Sequence, residues 1–114
     1  MRKAGHKELA KQIGRAIAGQ RLRRGLTQEE VAEQLGIGSE AVSRIERGIV
    51  IPNIARLLDF ASIFECETAE LLSEASSRPS DQAIHIGRLL APMNQADRQL
   101  VMGIVERLSK RLST

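Results

Sequence analysis

The sequence predicts an all-α fold. Hydrophobic residues make up 42% of the 114 residues, which is enough for a real core. Aromatic residues make up only 2%, with no Trp and no Tyr, so this core must be built from Leu, Ile, Val and Ala. Apolar residues also recur three and four positions apart, and glycines and prolines interrupt them. These observations favour packed helices over a β-sheet rich in aromatic and β-branched residues.

The first predicted helix covers about residues 9–22. Its apolar residues recur at helical spacing, and basic residues lie mostly around them. Gly25 is well placed to end this helix. The residues expected to face inward are Leu9, Ile13, Ala16, Ile17 and Leu22.

The second and third helices are predicted at residues 28–35 and 39–47, with a glycine-bearing turn at residues 36–38 between them. Thr27 opens the second helix with a capping box, because its hydroxyl can accept from the amide of Glu30 while the Glu30 side chain reaches back. The residues expected to face inward are Val31, Ala32, Leu35, Ala41, Val42 and Ile45.

The fourth and fifth helices follow an apolar stretch at residues 49–52. This stretch is predicted to be extended, because the residue before Pro52 avoids helical geometry. Asn53 is expected to cap a helix over residues 54–64, and Thr68 is expected to cap a short fifth helix. The fourth helix is expected to turn inward Leu57, Leu58, Ala61 and Phe64.

A linker is predicted at residues 76–81, which are small, polar and proline-bearing. It divides a domain at residues 1–75 from a tail at residues 82–114, where two more helices are predicted at residues 82–91 and 95–112. Such a hairpin buries too little to be stable alone, so it either folds back on the first domain or pairs with its twin in a second chain. The apolar stripe of the last helix consists of Leu100, Val101, Ile104, Val105, Leu108 and Leu112.

Charge is unevenly spread, although the net charge is only +3. Residues 1–50 carry ten Lys and Arg against six Asp and Glu, a net charge of +4. Residues 51–80 carry two against five, a net −3, and residues 81–114 carry five against three, a net +2. The basic first half indicates a face suited to a polyanion.

Several classes of function find no support in the sequence. No apolar run approaches a membrane span, and no signal-peptide core follows Met1, so the cytoplasm is the expected location. Cys66 is the single cysteine, and His6 and His85 have no partner spacing for a metal. The sequence has no phosphate loop, nucleophile elbow or paired-histidine motif, so neither enzymatic activity nor a cofactor or metal is expected.

The turn between the second and third helices is too short for them to lie side by side. The two helices must cross steeply, which leaves the third exposed along one face. An exposed helix can lie in the major groove of DNA, whose width suits a helix with its side chains. Steeply crossed helix pairs also occur as plain structure, so this geometry alone leaves DNA binding open.

The residues of this segment resemble the Cro/phage-repressor (XRE-like) helix-turn-helix family of bacterial and phage transcriptional regulators. The resemblance is carried by residues 25–37 (GLTQEEVAEQLGI) and 42–48 (VSRIERG), then Pro52, Leu57 and Leu58. It runs without a gap through the two central helices and extends over about residues 13–72. It implies a five-helix lambda-repressor-like DNA-binding domain, which the predicted C-terminal helical hairpin would follow here.

The resemblance also implies roles for individual residues on the third helix. Ser39, Glu40, Ser43 and Arg44 match the positions that point at base edges. Arg44 suits a bidentate contact with guanine. Glu40 either accepts from a cytosine amino group, acts by excluding other bases, or lies outside the contact.

Other residues match positions that hold the DNA backbone or the domain itself. Gln28 matches a residue that grips a phosphate, and Arg21 and Glu46 match a structural salt bridge between the first helix and the end of the third. Further phosphate contacts are expected from Arg15, Arg23 and Arg47. Residues 1–5 form either an arm that reaches the DNA or a disordered end.

The sequence departs from the family pattern in three places. Gly38 stands where a Ser or Thr often caps the recognition helix, so Ser39 is the alternative cap. Glu65 replaces a common glycine after the fourth helix, which puts the geometry of that turn in doubt. Apolar residues fill a loop that often contacts the DNA backbone, which suggests a protein partner there. This loop triplet consists of Ile49, Val50 and Ile51.

The function expected from these observations is a cytoplasmic, nucleoid-associated repressor of bacterial or phage origin. It would bind an inverted-repeat operator as a homodimer, because a dimer reads two half-sites about one helical turn apart. The dimerisation residues expected in the tail are Leu100, Ile104, Val105, Leu108 and Leu112. Two alternatives remain: an antitoxin that also binds DNA, and a protein-interaction module that has kept the fold and lost DNA binding.

Overall fold

Helices account for all the regular structure in the part of the chain that the computed structural model describes, residues 3–113 with the side chains of residues 5–113. The seven helices are α1 (Lys3–Arg23), α2 (Gln28–Leu35), α3 (Ser39–Glu46), α4 (Ile54–Phe64), α5 (Thr68–Ala75), α6 (Pro79–Leu90) and α7 (Gln95–Leu112). The all-α class predicted from the sequence is confirmed.

Helix α1 is the central helix of the first five. It packs against α3, α4 and α5, while α2 packs against α3 and α4. The rings of Phe60 and Phe64 stack with their centroids 5.9 Å apart, so both aromatic residues of the chain lie at the centre of this core. The buried core residues, all from α1 to α5, are Ile13, Ala16, Ile17, Val31, Ala32, Val42, Ile45, Leu57, Phe60, Ala61, Phe64, Leu71 and Ala75.

Two leucines expected in the core are exposed instead. The side chain of Leu22 is 66% exposed, because Gln20 occupies the inward position three residues after Ile17. Leu58 is 54% exposed, because the inward face of α4 passes from Leu57 to Phe60 and not to the neighbouring residue. The expectation for both leucines was therefore wrong.

Several helix ends also differ from the prediction. Helix α1 begins at Lys3, so residues 3–5 are helical and not an arm, while Met1 and Arg2 lie outside the described residues. Helix α3 ends at Glu46, with Arg47 as its C-cap. Glu67 caps α5, and its backbone N–H donates to Glu70 Oε1 at 3.4 Å, so Thr68 is the first helical residue and not the cap.

Helix α6 begins at Pro79, inside the segment predicted as a linker. Proline suits a first helical position, since its missing N–H has no partner in the helix there. Polar bonds fix α6 to α5: Arg88 Nη1 donates to Ser73 Oγ at 2.9 Å, and Ser76 Oγ donates to Asp81 Oδ2 at 2.7 Å. The non-helical connection between α5 and α6 therefore shortens to residues 76–78.

Helices α6 and α7 follow each other across a short turn, where the hairpin is predicted, but they do not pack along their lengths; we keep the name hairpin for this pair of helices. Arg98 near the start of α7 donates to the backbone oxygens of Leu90 and Ala91 at 3.0 and 2.9 Å, which ties the two helices at the turn. Beyond this turn, α7 does not pack broadly on any other helix among residues 3–113. Within the same described range, no helix has the length and hydrophobicity that a membrane crossing requires.

Candidate nucleic-acid interface

Helix α3 has one buried face and one exposed face. Val42 and Ile45 point into the core, and their side chains are 0% and 7% exposed. The opposite side carries Ser39, Glu40 and Arg44, which are exposed, with the half-buried Ser43 beside them. The structure therefore brings the four residues expected at base edges onto a single short helix with its polar side outward.

The C-terminal end of α3 lies directly against α1. A Cβ atom added at Gly14 would lie 2.5 Å from the backbone oxygens of both Ile45 and Glu46. A Cβ atom at Gly48, where φ is +77°, would lie 2.7 Å from the Cα atom of Lys11. The position of α3 thus depends on two glycines. No sequence pattern indicates this role for Gly14, because a glycine within an apolar helix does not show which other helix approaches it.

A polar network fixes the end of α3 to α1 and α2. Arg21 donates to both carboxylate oxygens of Glu46, with Nε–Oε2 and Nη2–Oε1 distances of 2.7 and 3.1 Å. Gln28 Nε2 donates to the same Oε1 atom at 2.9 Å. The hydrogen bonds to Glu46 raise the pKa of Arg21 above its ordinary value, so this side chain stays charged. The Arg21–Glu46 pair implied by the resemblance is thus formed, and Gln28 completes it.

An open cleft of about 760 Å³ lies where α1 ends and α2 and α3 begin. The side chain of Thr27 accepts from the amide of Glu30 at 3.0 Å, and Glu30 Oε1 accepts from the amide of Thr27 at 2.9 Å, as the capping box predicts. The first amides of both helices have no acceptor within their own helix. The cleft is lined by Arg21, Leu22, Gly25, Leu26, Thr27, Gln28, Glu29 and Ser39.

The basic residues expected at DNA phosphates differ in their surroundings. Arg15 is exposed and has no hydrogen bond or ion pair with any described residue. Arg23 Nη2 lies 2.9 Å from Glu74 Oε1 of α5. Arg47 Nη2 lies 3.2 Å from Glu40 Oε1, and its Nε donates to Ser43 Oγ at 3.1 Å. Two of the three arginines are therefore already engaged within the protein.

The two turns that depart from the family pattern, at Gly38 and at Glu65, differ in how they are stabilised. Gly38 is the N-cap of α3, and no side chain caps the helix there, while Ser39 is already helical. Glu65 takes the left-handed conformation with φ 54° and ψ 41°, as the glycine common at this position would. Arg24 supports it, donating from Nη2 to the Glu65 backbone oxygen and from Nη1 to Oε2, each at 3.2 Å. The turn that the substitution put in doubt is formed.

A polar joint between α1, α5 and α6 was not predicted. Glu74 Oε1 accepts from Gln20 Nε2 at 3.1 Å and from Arg23 Nη2 at 2.9 Å, and it lies 4.0 Å from His85 Nδ1. Gln20 and Arg23 are more than fifty residues away from Glu74 in sequence, so no local pattern could pair them with it. Nearby, burial and the charges of Glu70 and Glu74 raise the pKa of the Cys66 thiol, which favours its neutral form.

Two apolar surfaces remain uncovered in the described part of the chain. The first is in the loop triplet of Ile49, Val50 and Ile51, which is exposed, as are Ile54 and Leu58 of the following helix α4. We call these five residues the loop patch. The second surface belongs to the hairpin, where no residue of α6 or α7 is buried. Its exposed large side chains are Ile84, Ile86, Leu89, Leu100, Met102, Ile104, Val105, Leu108 and Leu112.

The chain is similar to known transcriptional regulators across this region. The HTH_3 helix-turn-helix family model matches residues 17–71, from the middle of α1 into α5. The uncharacterized HTH-type transcriptional regulator y4dJ of Sinorhizobium fredii is 31% identical over 72 residues, which cover 63% of this chain and 94% of that protein. The chain belongs to this helix-turn-helix family. It is a DNA-binding transcriptional regulator, and its Cro/phage-repressor-type character is confirmed.

Further relatives of this helix-turn-helix regulator are similar in sequence or in fold. The cryptic phage CTXphi transcriptional repressor RstR of Vibrio cholerae is 24% identical over 91 residues, which cover 80% of this chain and 82% of that protein. The crystal structure of the clp gene regulator ClgR from Corynebacterium glutamicum superposes with a TM-score of 0.59 at 26% identity, covering 72% of this chain and 89% of that one. These relatives are named as regulators and not as enzymes.

Proposed function

We propose that this regulator represses transcription by binding an inverted-repeat operator as a homodimer, with α3 in the major groove. The observation that carries the proposal is the polar face of α3, which is exposed while its apolar face is buried in the core. The network around Glu46 supports it, because a helix fixed at one end can present side chains to base edges in a defined register. RstR, which the chain resembles over most of its length, is named a repressor.

Base contacts are assigned to Ser39, Glu40, Ser43 and Arg44. Arg44 is the strongest reader among them, because its guanidinium is exposed and has no hydrogen bond or ion pair with a described residue. A guanidinium can donate two parallel hydrogen bonds to the O6 and N7 atoms of guanine. Arg44 is therefore proposed to select a guanine in each half-site.

Phosphate contacts are assigned to Gln28 at the start of α2 and to the exposed Arg15 of α1. Gln28 lines the cleft at the first turn of α2, where backbone amides and the helix dipole attract an anion. Arg23 and Arg47, the other two residues predicted at phosphates, would have to leave Glu74 and Glu40 to reach the DNA. We therefore expect Arg15 to supply more of the salt-dependent affinity than Arg23 and Arg47, while the uncharged Gln28 adds a hydrogen bond that does not depend on salt.

The homodimer is proposed to form through the hairpin, as the division into a domain at residues 1–75 and a tail at residues 82–114 implies. The stripe on α7 is exposed except at the half-buried Val101, and no other helix of the described chain packs broadly on it. A second copy of α7 has the same stripe, which suits a two-fold interface in which one surface meets itself. Two domains held in this way would meet the two half-sites of an inverted repeat.

The loop patch supports a second candidate function, in which a protein partner binds beside the recognition helix. Its five apolar side chains are each at least 41% exposed, and they belong to the loop after α3 and to the helix α4 that follows. A group of exposed apolar side chains of this kind often marks a site where another protein binds. An antitoxin that binds both DNA and a toxin would use such a patch. Co-purification of a small protein that is lost on Ile54→Glu substitution would support this candidate.

The DNA-binding proposal is tested by the substitution Arg44→Ala. The operator is first identified by sequencing the genomic fragments that the wild-type protein retains. A good bidentate contact discriminates by about 1–3 kcal/mol, so affinity for the operator should fall about 5- to 150-fold, while affinity for random DNA falls far less. Fluorescence anisotropy with both DNAs measures the two losses.

The matched control is Arg78→Ala, which removes an exposed arginine from the α5–α6 connection, away from α3. It should leave operator affinity nearly unchanged. Equal losses on operator and random DNA for Arg44→Ala would remove Arg44 from base recognition. A wild-type protein that ignores DNA at low ionic strength would contradict the whole proposal.

A further inference from the structure

We infer that Arg47 is a positioning residue for base recognition, which holds the Glu40 carboxylate and the Ser43 hydroxyl in place and does not bind a phosphate. This inference rests on the proposed function, since it assigns a role within the surface that α3 presents to DNA. It also replaces the phosphate contact that the sequence predicts for Arg47.

The geometry places Arg47 across two turns of α3. Its Nη2 atom lies 3.2 Å from Glu40 Oε1, seven residues earlier, and its Nε atom donates to Ser43 Oγ at 3.1 Å, four residues earlier. A weaker bond at 3.4 Å joins Nε to the Ser43 backbone oxygen. The guanidinium therefore lies along the exposed face of the helix, with its donors directed at the helix's own side chains.

These contacts determine which hydrogen-bonding groups the helix offers to DNA. Only Oε1 of Glu40 is bonded by Arg47, so Oε2 is available to accept from the exocyclic amino group of cytosine. Ser43 Oγ accepts from Arg47, which leaves its O–H to donate to an acceptor on a base edge. With Arg44 as a pure donor, α3 presents one acceptor followed by two donors.

Electrostatics explains why Glu40 needs a partner in this place. A lone carboxylate in the major groove is repelled by the phosphates on either side, whereas a carboxylate paired with a guanidinium carries no net charge. In the DNA-free protein the pair contributes little to the folding stability, because the side chains of Glu40 and Arg47 are 76% and 55% exposed. In the groove, water is displaced and the effective dielectric constant falls, so the same pair strengthens on binding.

The test compares Arg47→Met, Glu40→Gln and the double variant, each in the full-length chain, by binding to a library randomised over the half-site. Both side chains are exposed, so all three variants are expected to fold, and circular dichroism checks this. Arg47→Met should remove most of the preference of about 5- to 150-fold at the base pair next to Glu40, while the guanine preference due to Arg44 remains. In the Glu40→Gln background, Arg47→Met should leave the preference at the base pair next to Glu40 unchanged and should alter only the preference that Ser43 supports.

The matched control is Arg15→Met, which removes an exposed arginine that is assigned to a phosphate. It should weaken all sequences alike and reduce the slope of log K against log salt by about 0.9, with base preferences unchanged. If Arg47→Met behaves in the same way, Arg47 binds a phosphate and the inference is wrong. A wild-type protein without any sequence preference would instead contradict the proposed function.

Discussion

Glu65 adopts a backbone conformation that few side chains tolerate. Its φ of 54° is the single positive value at a non-glycine residue within the described range. A left-handed conformation costs an ordinary L-residue about 1–2 kcal/mol. Arg24 bonds both the carboxylate and the backbone oxygen of Glu65, so contacts with α1 partly offset this cost. The turn between α4 and α5 therefore keeps the glycine geometry without the glycine.

Replacing Glu65 with Gly should stabilise the protein. Relief of the left-handed strain outweighs the extra chain entropy of glycine, so the free energy of unfolding should rise by about 0.5–1 kcal/mol. Urea denaturation measures the change. Glu65→Gln is the control, since it removes the charge but keeps the strain, and it should not stabilise. A stability loss for Glu65→Gly larger than that for Glu65→Gln would show that the strain is not significant.

Glu46 links three helices through one carboxylate. It accepts from Arg21 at both oxygens and from Gln28 at one, and its side chain is only 7% exposed. A buried acceptor that loses its donors leaves an unpaired charge, so all three residues depend on each other. Gln28 has a place in this network in addition to its proposed phosphate contact. Binding of a phosphate at Gln28 would thus directly affect the hydrogen bonds that hold the end of α3.

At the scale of elements, the crossing of α1 and α3 sets the position of the recognition helix. Gly14 lets the backbone oxygens of Ile45 and Glu46 approach α1 more closely than any Cβ atom would allow. The Arg21–Glu46 pair forms about two turns further along α1 and fixes the same end of α3. The close contact at Gly14 and the polar network around Glu46 act together, so α3 has little freedom to tilt.

Gly14→Ala should therefore destabilise the fold and weaken operator binding. The added methyl group meets backbone atoms that cannot rotate away, and overpacking of this kind costs about 1–3 kcal/mol. Urea denaturation and operator affinity are measured on the same samples.

The control for this substitution lies in the same helix. Alanine at Gly19 would contact only the end of the flexible Arg23 side chain, at 3.6 Å, so Gly19→Ala should stabilise α1 by about 0.5–1 kcal/mol. Equal effects of the two substitutions would show that α1 and α3 do not approach as closely as the structure indicates.

At the scale of the whole molecule, the first five helices and the hairpin differ in how they bury apolar residues. The first five share one core, whereas α6 has no buried residue; it packs on α5 with polar bonds of Arg88 and Asp81, and α7 extends from it. An amphipathic helix whose stripe has no cover within its own chain gains stability by meeting a second copy. Dimerisation would thus complete the hairpin as well as pair the recognition helices.

Charges placed in the α7 stripe should separate the proposed dimer. The double substitution Ile104→Glu with Leu108→Glu puts two carboxylates on one face of α7, where the two-fold axis would bring four together. Sedimentation velocity should show a dimer for the wild-type chain and mainly monomer for the variant. Ser109→Glu, on an exposed position outside the stripe, is the control and should remain dimeric. A dimeric double variant would place the interface elsewhere, with the loop patch as the next surface to test.

Local sequence signals were enough to predict the helices and the place of the recognition helix in the chain. The capping box at Thr27, the glycine after α2 and the spacing of apolar residues act within a few positions, so they predict α2 and α3 correctly. The family resemblance then identified the exposed face of α3 and the pairing of Arg21 with Glu46. Helix ends were less predictable, as at Glu67 and Pro79, because several residues in each turn could begin a helix.

Only the tertiary structure decided which polar groups pair and which apolar groups are covered. The bond from Arg23 to Glu74 joins residues 51 positions apart, and the contact of Gly14 with the end of α3 joins distant parts of the chain. Leu22 and Leu58 are exposed because neighbouring helices cover only one arc of α1 and of α4. Such outcomes depend on where other helices lie, and a sequence pattern within one helix carries no information about that position.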